Sequence, residues 1–144
     1  MIILFSICMD IYKKKYLKYK AKYLQLKGGD ITIHVNEPWF SLIRDGVKKV
    51  EGRPKKGFFE NIKEGDIILF FNIDKKTKRR QEVKVKVTKI AKYETFEEML
   101  RTEGLGNVLP GERDIMRGVA VYRQWYDEQV EQQYGVVGIH VVPQ

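Results

Sequence analysis

From residue 31 onward the period of the apolar positions changes several times, and each change marks an element. Ile31, Ile33 and Val35 alternate with polar neighbours, the period-2 signal of a short β-strand. Trp39 or Phe40 with Leu42 and Ile43 then fall on one side of a short helix. Asn36 is expected to cap that helix, with Pro38 in its first turn and Gly46 at its end. KKVEGR, residues 48–53, is extended. DIILFFN, residues 66–72, is almost unbroken in its apolarity and predicts a core strand. After a charged turn, EVKVKVTKI (82–90) alternates, with Val83, Val85 and Val87 inward and Lys84 and Lys86 outward. Thr95 followed by Glu98 has the capping-box spacing and starts a helix. Residues 104–111 are a loop punctuated by glycine and proline, residues 112–133 are helical, and GVVGIHVV (135–142) is a closing strand. The order β-α-β-β-β-α-α-β lacks the βαβ repeat of a parallel sheet. It predicts an α+β fold, a mixed β-barrel with helices at its ends.

The first thirty residues are patterned differently. MIILFSICM is too short for a bilayer, which takes about 20 apolar residues, and it lacks the basic start of a signal peptide. Met9 is an alternative start of translation. In the following segment Tyr12, Tyr16, Tyr19, Tyr23 and Leu26 share one helical face, lysines fill the other, and Gly28-Gly29 ends the helix. The chain therefore divides into a basic helical extension, residues 1–29, and a domain, residues 30–144. The Tyr/Leu stripe suits packing on the domain or self-association through a second copy, and the lysines suit nucleic acid or a membrane surface. The leader also resembles the short Tyr/Lys-rich starts of giant DNA virus proteins, in which case the protein would be viral and work in host cytoplasm or a virion.

Charge sharpens the picture. The chain carries a net +8, unevenly placed: residues 44–92 hold 16 Lys and Arg against 7 acids, while residues 93–144 hold 4 against 9. A basic surface favours polyanions such as RNA, because neutralising phosphates releases counterions. Lys49, Lys55, Lys56, Lys78, Arg79 and Arg80 are the candidates for backbone phosphates. The single cysteine, Cys8, excludes a disulfide framework and a CxxC metal site, and points to a reducing, cytoplasmic compartment. The two histidines, His34 and His140, have no ligand spacing, so neither a metal nor another cofactor is expected.

Four segments match one family in order. Gly46-x-Lys48-x-x-Glu51-x-Arg53, then IKEGDIILFFN, then YETFEEMLRTEGLGNVLPG, then YDEQVEQQYGVVGIHV resemble the signature pieces of the ASCH (activating-signal-cointegrator homology) domain over roughly residues 31–142. The resemblance implies a PUA-like barrel that binds RNA or a nucleoside in a cleft. It implies that Lys48, Glu51 and Arg53 share that cleft. Strict alternation turns Lys48 away from Glu51 and Arg53, so an irregular backbone is expected, with a bulge at Gly52. Lysine and arginine donate to a base edge, a carboxylate accepts from exocyclic amines, and Trp39 or Phe40 at the lip would stack. An ion-pair network closing the barrel is the structural alternative. Such a cluster in an open, wet cleft would lose only a few degrees of melting temperature on Lys48→Ala. Some ASCH-like proteins deacylate an acetylated cytidine with a lysine, a threonine and a glutamate; that alternative would use Lys48, Glu51 in place of the threonine, and Glu103. A protein-interaction adaptor, using the leader's Tyr/Leu face and the acidic end, is the third reading.

Overall fold

The computed structural model describes residues 31–144; the expected leader helix and its Tyr/Leu stripe lie outside them. Five strands form one sheet: β1 (Ile31–His34), β2 (Val50–Pro54), β3 (Ile67–Ile73), β4 (Arg80–Tyr93) and β5 (Val136–Pro143). Their order across the sheet is β1-β3-β4-β5-β2, and the pairs β3–β4, β4–β5 and β5–β2 are antiparallel. The helices are α1 (Trp39–Arg44), α2 (Phe96–Glu103), α3 (Leu105–Val108), α4 (Ile115–Arg123) and α5 (Glu128–Tyr134), with a 3₁₀ turn at Gly57–Glu60.

Strand β4 makes the sheet curl. Its first half pairs with β3 and its second with β5, and the register slips between Val87 and Lys89, leaving Thr88 as the extra residue. A bulge bends its strand and increases the local twist. The result is a half-barrel with helices flanking it. The predicted alternation holds: Val83, Val85 and Val87 are buried while Lys84 and Lys86 are exposed. β3 is not buried on both faces as its composition suggested. Ile68, Phe70 and Asn72 turn inward and the residues between them are half-exposed or exposed, because in an antiparallel sheet only one face meets the core.

Two apolar layers result. One holds Phe40, Ile43, Ile68, Phe70 and Val85, all fully buried on helix α1 and strands β3 and β4. The other packs Phe96, Met99, Leu100, Val108, Leu109, Val119 and Tyr122 against Val50 and Val136. Helix α2 starts at Thr95, whose side chain accepts from Glu98 N at 3.0 Å, while Glu98 Oε2 accepts from Glu94 N at 2.9 Å. This is a capping box shifted by one residue on its return leg.

Three local expectations are corrected. Asn36 does not cap α1 with its side chain; its carbonyl accepts from Phe40 N, and Glu37 caps instead, taking Ser41 N at 3.2 Å and Ser41 Oγ at 2.7 Å. Residues 112–133 are two helices, because Asp127 caps a fresh start by accepting from Val130 N at 2.9 Å. The segment 104–111 holds one short helical turn, α3.

Candidate functional site

Strands β1 and β2 are the two outer strands of the sheet, yet both line the same cavity, because the curl brings the edges toward each other. The cavity has a volume of about 370 Å³. Its walls are His34, Val35 and Asn36 from the end of β1, Trp39 from α1, Lys48 and residues 51–53, Leu109, and the end of α4 with Val121, Tyr122, Trp125 and Tyr126. Sequence reading named Trp39, Lys48, Glu51 and Arg53, and all four line it. It missed the aromatic wall from α4, since Tyr122, Trp125 and Tyr126 lie in a stretch read only as helix.

The backbone solves the alternation problem without the expected bulge. β2 pairs with β5 in unbroken register, Glu51 opposite Ile139, Gly52 opposite Gly138 and Arg53 opposite Val137. Lys48 reaches the cavity because it precedes the strand, its N–H bonded to Leu42 O in the turn after α1. Gly52 serves proximity instead: a Cβ there would lie 2.6 Å from Met99 Cε and 2.7 Å from the Tyr122 hydroxyl. Glycine is what lets α2 and α4 approach the strand this closely.

Lys48 is buried, 2% exposed. Its ammonium donates to Val50 O at 2.8 Å and to Val108 O, and sits 5.8 Å from the Trp39 ring centroid. Two of three donors are thereby spent on backbone, tying the start of β2 to α3. Burial pushes the lysine pKa down; Glu51 opposes this and Arg53 adds to it. Arg53 Nε lies 3.4 Å from Glu51 Oε1, and its guanidinium covers the Phe59 ring at 5.4 Å. Burial works against the Arg53 charge, but Glu51 and the Tyr126 and Tyr122 hydroxyls outweigh it and raise its pKa. Tyr122 stacks on Phe96 at 4.2 Å, and burial, then Glu51, hold its hydroxyl protonated well above the ordinary tyrosine range. Two polar atoms of this wall are buried without a hydrogen-bond partner, Glu51 Oε2 and the Tyr122 hydroxyl. Phe40, the alternative stacking residue, is fully buried in the core; Trp39 is half-buried at the cavity.

Glu103 does not join this group. It accepts from the Tyr93 hydroxyl, and its Oε2 lies 2.7 Å from His140 Nε2. Tyr93 is held protonated by burial and by Glu103. Glu103 is not among the residues that line the cavity with Lys48 and Glu51. Among the basic candidates, Lys49, Lys56, Lys78, Arg79 and Arg80 are exposed and Lys55 is half-buried. Arg80 stacks on Phe71 at 4.1 Å and pairs with Glu82 at 2.6 Å. No group of three or more metal-binding side chains occurs among the described residues.

The family model of the ASCH domain matches residues 33–144, the whole described sheet apart from its first two residues. The chain belongs to the ASCH domain family. This is a PUA-like fold associated with RNA binding. Two solved structures resemble it. The hypothetical protein PH0355, known from a crystal structure, is 43% identical, with 80% of this chain and 99% of that one covered and a TM-score of 0.70. Protein PF0455 from Pyrococcus furiosus, known from a solution NMR structure, is 40% identical, with 79% of this chain and 96% of that one covered and a TM-score of 0.64. No curated protein matches the chain. No helix among the described residues is long and apolar enough to cross a membrane.

Proposed function

We propose that the ASCH domain of this protein binds RNA, taking one unpaired base, or a nucleoside, into the cavity between β1 and β2. The observation that carries the reading is the pair of unpartnered polar atoms in the cavity wall. Buried polar groups are nearly always hydrogen-bonded, so an acceptor (Glu51 Oε2) and a donor-acceptor (the Tyr122 hydroxyl) without partners at one cavity wall are groups that a ligand reaching them would satisfy. A nucleobase edge offers an exocyclic amine to the carboxylate and a ring nitrogen or carbonyl to the hydroxyl. Trp39 offers a ring for stacking, and the volume of about 370 Å³ falls in the range of small-ligand sites. Lys48 in this reading acts through position and charge, since two of its three donors are engaged within the protein, and Arg53 acts through its charge beside Glu51. The basic residues outside the cavity, Lys49, Lys55, Lys56, Lys78, Arg79 and Arg80, would meet phosphates.

Tyr122→Phe tests this with little structural disturbance, because the hydroxyl it removes has no partner to lose. Equilibrium binding of fluorescein-labelled single-stranded RNA should weaken by about tenfold, the worth of one hydrogen bond, with thermal stability unchanged or slightly raised. Unchanged RNA affinity in both Tyr122→Phe and Glu51→Gln would remove the basis of the reading.

A further inference from the structure

A wider groove of about 820 Å³ adjoins the cavity and shares its wall at His34, Asn36, Trp39, Val121 and Trp125. It ends at the turn between β3 and β4, where Lys75 and Lys76 are exposed. We infer that this groove seats the nucleotide next to the captured base, so that the ligand is a single strand of at least two nucleotides and not a free nucleoside. The inference rests on the reading of the cavity given above and adds the direction in which the strand leaves it.

Three observations point this way. Trp125 stands at the shared wall and is 54% exposed, an uncovered indole where burial would be the ordinary fate of so large a ring. Exposed aromatic faces near basic side chains are how single strands are held without regard to sequence, one base stacked per ring, and here the lysines Lys75 and Lys76 stand at the far end of the groove. Second, the carboxylates of the groove are satisfied from within. Glu37 is bonded to Ser41, and Asp74 accepts from Lys76 N and Thr77 N, both at 2.8 Å, and from Gln81 Nε2 at 3.1 Å. Those N–H groups and the nearby lysine hold the Asp74 pKa down, so the carboxylate is a fixed part of the turn. Third, the same turn continues into Lys78, Arg79 and Arg80, extending positive charge beyond the groove's end. A base in the cavity, a second base on Trp125 and the linking phosphate toward Lys75 and Lys76 follow one continuous path. A duplex cannot take it, because its bases stay stacked and paired.

The test compares mononucleotides, single-stranded tetranucleotides and a short RNA duplex on the full chain by calorimetry or fluorescence. Tetranucleotides should bind at least about tenfold tighter than any mononucleotide, and duplex weaker than single strand. Trp125→Ala should lower tetranucleotide affinity by about 5- to 150-fold, the worth of one stacked base, and shrink the ratio of tetranucleotide to mononucleotide affinity. The Lys75→Glu/Lys76→Glu double variant should weaken tetranucleotide binding and leave mononucleotide binding unchanged. Mononucleotides that bind as tightly as tetranucleotides, or a Trp125→Ala variant with the ratio intact, would overturn the groove while leaving the cavity in place. Absence of binding by every RNA probe would overturn both.

Discussion

Lys48 shows how a residue named for function is first a structural one. Its ammonium is enclosed and bonded to the carbonyls of Val50 and Val108. The expectation that Lys48→Ala would cost only a few degrees assumed an open, wet cluster, and the burial removes that assumption. Truncation leaves two carbonyls unmatched and Glu51 facing Arg53 alone, so the loss of stability should be about 3–5 kcal/mol. The pH dependence follows from the sign of the shift. Burial holds the Lys48 pKa below its ordinary 10.5, so the unfolded chain binds that proton more tightly than the folded one. The stability contributed by neutral Lys48 is present above pH 10.5 and is lost as pH falls through the folded-state value. Urea unfolding at neutral and alkaline pH should show wild type gaining on Lys48→Ala as pH rises toward 10.5; a constant gap would contradict a depressed pKa. That Lys48, Glu51 and Arg53 meet in one cavity was legible from a motif. That Lys48 is buried against Val108, 60 positions away, was not, and neither was the capture of Glu103 by Tyr93 and His140. Both depend on elements folding onto one another, which no local pattern encodes.

At the scale of elements, the helix and strand periods in the sequence were sufficient for α1, α2, β3, β4 and β5, and the capping box at Thr95 fixed the start of α2. They were insufficient where a side chain competed with continuation. Asp127 breaks the expected long helix into α4 and α5, and Trp125 and Tyr126, which lie between the two helices, line the cavity. The bulge expected at Gly52 belongs instead to β4 at Thr88; the glycine admits Met99 and Tyr122 against β2. Gly52→Ala therefore tests element packing. The added methyl meets two buried side chains, and the cost should be about 1–3 kcal/mol, with RNA affinity falling because the Tyr122 hydroxyl is displaced. A variant of wild-type stability and affinity, measured by thermal melting and RNA titration, would show that the close approach can relax.

At the scale of the whole chain, charge and shape divide the work. On the proposed reading, the net charge of the segment 44–92, 16 basic residues against 7 acidic, would attract any RNA, and the cavity and its aromatic wall would favour an unpaired base. Charge reversal at Lys78, Arg79 and Arg80 should weaken RNA binding for every sequence alike and lower the slope of affinity against salt by about one for each phosphate no longer neutralised. Salt-independent affinity would argue against the phosphate contacts and leave the cavity untouched. The charge asymmetry was fully legible in the sequence. The cavity was legible only through the family motif and not from any local pattern, since it forms where a half-barrel curls its two edge strands toward each other.

Entry of a base between β1 and β2 is reported most directly by amide chemical shifts. Titration of the ¹⁵N-labelled protein with short single-stranded RNA should shift the amides of residues 48–53 and 121–126 together, with the aromatic signals of Trp39 and Tyr122, and Tyr122→Phe should reduce those shifts. Shifts confined to the β3–β4 turn and the exposed lysines, with the cavity amides unmoved at saturation, would show RNA held by charge alone and contradict the account.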